Sequence, residues 1–266
     1  MSEAATGPED SALETLLKRD RLMVLAGLVL AVALSWTYLA LASRDMYGAM
    51  DGLSAWMMTA AWDLEYALLI FAMWVVMMVG MMLPSAAPAI LLYSRILRRS
   101  PQAEVPVLRS YLFVGGYLLA WSGFSALATV LQGLLAKTLL LSPMMESAHS
   151  LLSACLLIVA ALYQLTPLKQ TCLRGCRSPA DFLTRHWRPG VSGAIRLGVH
   201  HGFYCVGCCW ALMLLLFAGG VMSLLWIAAI TIYVLAEKLA PHGVQGSRWS
   251  GALLLLMGAY LLVNGL

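Results

Sequence analysis

Seven apolar stretches, most of them long enough to cross a bilayer, leave this chain few ways to fold. They run over 22–42, 66–93, 111–135, 148–166, 201–219, 221–239 and 250–266, the last being short. A spanning helix needs about 20 mostly apolar residues, and in lipid every backbone N–H and C=O must pair inside its own segment. Only 11% of the 266 residues are charged and 61% are hydrophobic, whereas a soluble domain carries about 25% charged residues. The expectation is an all-α polytopic transmembrane helix bundle of about seven helices. Residues 1–21 form a polar N-terminal segment without a cleavable signal, and 22–266 a single transmembrane domain. Nucleic-acid binding and secretion are excluded by the same composition.

Basic residues stay on the cytoplasmic side of a membrane, whereas acidic ones matter little. Fifteen of the 17 Lys and Arg fall in the N-terminal segment, around residue 100, in 167–199, or at Lys238 and Arg248; the alternate loops hold Arg44 and Lys137. This asymmetry predicts a multi-pass protein of the bacterial cytoplasmic (inner) membrane with its N terminus inside and a cytoplasmic, Cys-containing loop at about 167–199. Trp36, Trp56, Trp62 and Trp249 near span ends read as an aromatic belt. Seven spans also bring a retinal protein to mind, but the last stretch has no lysine to form a Schiff base.

Sulfur falls at helical spacing. In the second span Met73, Met77 and Met81 recur every four residues beside Met78 and Met82, each step rising about 6 Å. In the fifth span His201, Cys205, Cys209 and Met213 line one side, flanked by His200 and Cys208. Cys172 and Cys176 follow the fourth span, next to Lys169, Arg174 and Arg177. In a reducing cytoplasm such thiols read as metal ligands or reactive groups rather than a structural disulfide. Cys155, alone in the fourth span, reads as a small buried hydrophobe, and any single methionine as core filler. Met46, Met50, Met57, Met58, Met144, Met145 and His149 fall on the predicted external side, with Asp45, Asp51, Asp63 and Glu65 solvating the first loop.

Thioethers bind Cu(I) but hold Mg, Ca, Mn or Zn poorly; thiolates and imidazoles bind Cu(I) and also accept Zn or Fe. The order from methionine outside to cysteine and histidine inside therefore suits Cu(I) moving inward, with zinc or iron as alternative metals. Pro84 and Pro88 in the second span free backbone carbonyls, which Ser85 and Gln164 join as candidate pathway groups beside the cysteines. Glu237 and Lys238 at the inner end of the sixth span are expected to snorkel to the interface. No nucleotide loop, aspartyl-phosphate motif, hydrolase elbow or HExxH appears, so the chain reads as non-enzymatic.

The blocks MWVVMMVGMMLPSAAP, YQLTPLKQTCLRGCRSP and GFYCVGCCWALM, in that order, resemble the bacterial family of predicted metal-binding integral membrane proteins, domain-of-unknown-function family 2182. The resemblance implies that Met77, Met78, Met81, Met82, Pro84, Pro88, Pro167, Lys169, Cys172, Cys176, Cys205, Cys208 and Cys209 belong to its motif blocks. The leading expectation is passage of Cu(I) from external methionines to a site made by Cys172, Cys176, Cys205, Cys208, Cys209, His200 and His201. Two rivals stand beside it: a thiol:disulfide electron carrier, and an assembly factor or subunit for a metalloenzyme. The partners implied are the lipid bilayer and a metallochaperone, with the oligomeric state left open.

Overall fold

The computed structural model describes residues 8–48, 62–99, 105–142, 145–240 and 243–265. Among these the backbone is helical, apart from turns and a lone bridge between Leu141 and Ser147. The helices are α1 (Pro8–Met46), α2 (Leu64–Arg99), α3 (Pro106–Lys137), α4 (Ser150–Leu165), α5 (Pro167–Arg177), α6 (Pro179–His186), α7 (Gly190–Leu214), α8 (Leu216–Gly219), α9 (Leu224–Leu239) and α10 (Gly243–Asn264). The polar stretch from Pro8 is thus continuous with the first span. The segment 167–199, expected as a loop, is mostly the helices α5 and α6 and the first turns of α7.

Five helical segments are long and apolar enough to cross a membrane, namely Arg21–Met46, Leu64–Arg98, Pro106–Lys137, Gly190–Gly219 and Gly243–Asn264. This is a multi-pass membrane protein. The pair α4 and α5, bent by 68° at Thr166, reaches that length only when the two helices are taken together. α9 has 16 residues, about 24 Å at 1.5 Å per residue, which is short of the ~30 Å hydrocarbon layer. The expectation of about seven helices, the last of them short, is met in helix order, but the short one is α9, and the last, α10, is long enough to span.

Glycines let α3 and α7 approach to backbone contact. A methyl group at Gly198 would strike the carbonyl of Phe113, one at Gly116 the carbonyl of Ile195, and one at Gly202 the Ala120 methyl 2.6 Å away. Small residues at such spacing are how membrane helices pack closely where no hydrophobic effect drives them together. The bend between α4 and α5 has a local cause. Proline biases the residue before it toward extended backbone, and Thr166 sits at φ −73°, ψ 149°, with its side chain capping α5 by accepting from the Lys169 N–H.

The two prolines inside α2 break its hydrogen-bond ladder as expected. Pro84 has no N–H to offer the Gly80 carbonyl one turn back; the half-buried Trp36 of α1 donates its indole Nε1–H to that oxygen at 3.2 Å instead. Trp36, expected in an interfacial belt, thus closes a gap in its neighbour. At the opposite end of the bundle Gly220 (φ +94°) turns the chain between α8 and α9, and Trp226 Nε1 donates to Leu215 O at 2.7 Å to cap the end of α7.

Candidate metal centre

The predicted sulfur rows converge. Along α7, Cys205, Cys208, Cys209 and Met213 are all buried, and along α2 so are Met73, Met77, Met78, Met81 and Met82. α5 packs against α7 and carries Lys169, Cys172 and Cys176 at spacings of three and four, hence on one helical face. A methyl group at Gly207 would come within 2.8 Å of Cys172 Sγ, so the absence of a side chain there admits the thiol. The Tyr163 hydroxyl donates to the Gly207 carbonyl from α4, holding the other flank of this contact.

Two sulfur pairs result. Cys208 Sγ lies 3.8 Å from Cys176 Sγ, and Cys209 Sγ lies 3.8 Å from Met82 Sδ. With metal–sulfur bonds of about 2.3 Å, two sulfurs on one tetrahedral ion sit about 3.8 Å apart. Cys208 and Cys209 both direct their thiols at the Cys205 carbonyl, at 3.1 and 2.9 Å, which keeps them on the same side of the helix. Among the described residues no three His, Cys, Asp or Glu side chains form a ready metal-holding group. Cys205 also interacts with Cys176, Cys208 and Cys209, so four thiols and one thioether are gathered there. Such a set is soft and free of oxygen ligands, which matches Cu(I) and matches Mg, Ca or Mn poorly.

A polar ring closes around Cys205. Lys238 of α9 donates from Nζ to Cys205 Sγ at 2.9 Å and to Ser85 Oγ at 3.0 Å. Ser85 Oγ donates to the Met82 carbonyl at 2.8 Å, and the Tyr117 hydroxyl donates to the same carbonyl at 3.0 Å. Tyr117 in turn lies 3.0 Å from Cys205 Sγ. Next to Lys238, Glu237 pairs with Lys169 Nζ at 2.7 Å, with side chains 1% and 0% exposed. Its other carboxylate oxygen accepts from Tyr233 at 3.1 Å. Glu237 and Lys238 therefore do not snorkel. They point inward, and α9, too short to reach far past the bundle, leaves them there. Lys238 and Tyr117 are site residues that the sequence reading missed. The signal was available for Lys238, because an ionisable residue inside an apolar span is a functional candidate by default; an aromatic hydroxyl such as Tyr117 gives no such signal.

For the two predicted histidine ligands the described contacts are with aromatic rings rather than with these sulfurs. His200 is half-buried with its ring 4.4 Å from His186, 5.2 Å from Tyr204 and 5.6 Å from Phe182 between centroids. His201 is buried among Phe113, Tyr117 and Phe182, and its Nδ1 has no hydrogen-bond partner. Cys155, expected inside, is exposed on α4, since that face of the helix meets no neighbour. At the far end Met46 and Met145 are buried together with Met222, and His149 is exposed at the start of α4. Met50, Met57, Met58 and Met144 lie outside the described residues.

A multi-helix membrane domain built around buried thiols defines the class. The chain belongs to the copper chaperone family PpoB2, whose model matches residues 71–261. That stretch contains every sulfur of the two pairs together with Lys238; all of α1, with Trp36, lies outside it. No curated protein and no solved structure matches the chain. The family is a copper-handling one.

Proposed function

We propose that this protein binds Cu(I) in the bilayer of the bacterial inner membrane and hands it on, with Cys172, Cys176, Cys205, Cys208, Cys209 and Met82 as the ligand pool. The observation that carries the reading is the pair of buried sulfur contacts, Cys176 to Cys208 and Cys209 to Met82, each at 3.8 Å. The buried methionines of α2 lead to Met82 along one helix, so thioethers accept the ion and thiols hold it more tightly. With the N terminus inside, as the basic residues indicate, the ion runs inward from the methionine end. The copper chaperone description of the family favours delivery to a metalloenzyme or a soluble metallochaperone over bulk uptake. We also take that family and the domain-of-unknown-function family 2182, which the sequence resembles, to be one grouping.

The test is Cu(I) binding to the detergent-purified protein under anaerobic conditions, in competition with a chromophoric chelator. Stoichiometric binding that is lost when Cys205, Cys208 and Cys209 are replaced by Ser supports the site. Equal binding by the variant overturns it. Direction is tested separately, through cellular copper content with and without the gene. The approach of Cys176 to Cys208 also favours a thiol:disulfide carrier as a second reading; a mixed disulfide trapped on a Cys176→Ser or Cys208→Ser variant in place of copper binding would establish that one.

A further inference from the structure

Lys238 is the one buried cation that touches a candidate copper ligand among the described contacts, and no carboxylate balances it. Its residue is 5% exposed, and its hydrogen-bond acceptors are Ser85 Oγ and Cys205 Sγ. The neighbouring carboxylate is already engaged, since Glu237 uses one oxygen for Lys169 and the other for Tyr233. Lys169 and Glu237 cancel as a pair. The net positive charge that remains beside the sulfurs is the Lys238 ammonium, held by the hydroxyl of Ser85 on α2 and the sulfur of Cys205 on α7.

We infer that Lys238 tunes the charge selectivity of the metal site, favouring a monovalent soft cation over divalent ones relative to what the same sulfurs would choose alone. The inference rests on the copper reading above and adds a specificity determinant to it. An uncompensated charge away from water is costly, so a buried metal site is most stable when ligands, metal and fixed charges sum to about zero. A fixed ammonium shifts that balance by one unit. With two thiolate ligands and the ammonium, a monovalent ion completes neutrality and a divalent ion leaves one positive charge over. For any number of thiolates, the ammonium moves the preferred ion one charge lower than the same sulfurs would choose alone. Sulfur softness by itself does not separate Cu(I) from Zn(II), because thiolates take both. The lysine supplies the missing discrimination. Geometry makes the effect strong: Nζ is 2.9 Å from Cys205 Sγ, so an ion bound at that sulfur lies roughly 5 Å from the ammonium. At an effective dielectric of about 20, the second charge of a divalent ion there is disfavoured by about two orders of magnitude in affinity.

The experiment measures Ag(I), a redox-inert monovalent probe, and Zn(II) binding to full-length detergent-purified protein by chelator competition, for wild type, Lys238→Arg and Lys238→Met. The expected result is that Lys238→Met raises the Zn(II)-to-Ag(I) affinity ratio about 100-fold, while Lys238→Arg, which keeps the charge, stays close to the wild-type ratio. Should Lys238→Met lose its fold, Lys238→Gln, which retains a donor for Ser85, carries the same expectation. A lysine that merely supports the fold would weaken both metals equally, and an unchanged ratio in a folded variant overturns the inference. Wild-type protein that binds Ag(I) tightly with that unchanged ratio leaves the copper reading intact; wild-type protein that binds neither metal overturns both.

Discussion

Replacing Glu237 by Gln removes the charge that compensates Lys169 while leaving the shape of the side chain nearly unchanged. The pair is 2.7 Å apart with side chains 0% and 1% exposed, so the remaining ammonium has no route to water. Breaking such a pair from one side costs about 3–5 kcal/mol. At about 2–4 °C per kcal/mol for a chain of this size, the melting temperature should fall by roughly 6–20 °C. Detergent-solubilised protein followed by its intrinsic tryptophan fluorescence is a suitable assay, with nine tryptophans as reporters. The double variant Lys169→Met, Glu237→Leu removes both charges, and apolar replacement of a whole buried pair is often neutral or better, so it should recover most of the loss. The consequence reaches the metal site, because Lys169 shares an α5 face with Cys172 and Cys176, and Glu237 precedes the residue that contacts Cys205. The single variant should therefore also bind Cu(I) more weakly than the double one. A single variant within about 1 kcal/mol of wild type, or a double variant less stable than the single, would refute the role assigned to the pair.

The close approach of α3 and α7 predicts that Gly198→Ala costs at least 1–3 kcal/mol through overpacking, seen as lost monodisperse yield. Gly123→Ala, on the same α3 but with nothing within 4 Å of the added methyl, should be neutral or stabilising by up to about 1 kcal/mol. Trp36→Phe leaves the Gly80 carbonyl without its donor and should cost about 1–3 kcal/mol. In a Pro84→Ala background a backbone N–H returns to that carbonyl and the penalty should shrink, a coupling that equal penalties in both backgrounds would deny. Cys155→Ser should leave Cu(I) affinity unchanged, whereas Cys176→Ser with Cys208→Ser should lower it at least about 10-fold, the equivalent of 1.4 kcal/mol; chelator competition reads both.

Much of the architecture was legible because the bilayer is a severe solvent. A run of apolar residues about 20 long has one stable backbone there, and helical spacing then decides which side chains share a face, which is why the sequence alone puts Cys205, Cys209 and Met213 on one side of α7. Proline chemistry likewise foretold that α2 would have an unserved carbonyl near Pro84. Periodicity places residues on a face but does not decide which neighbour that face meets. His200 flanks the row of His201 and the cysteines, and its ring turns toward His186 and Tyr204, because Phe182 and His186 of α6 lie against that side of α7. Cys155 was placed inside by residue type and lies outside, because no helix covers it.

Residue order alone determined most of the apolar helices and the sulfur rows, since each depends on neighbours three or four positions apart. Tertiary structure alone decided which rows meet. The contacts of Cys176 with Cys208, Cys209 with Met82, and Lys238 with Cys205 and Ser85 join residues 32, 127, 33 and 153 positions apart. Their geometry follows from the bend at Thr166-Pro167, the glycine contact between α3 and α7, and the shortness of α9. A lysine in an apolar span states only that a charge must be compensated; the packing of α2, α7 and α9 placed a cysteine sulfur and a serine hydroxyl at its ammonium.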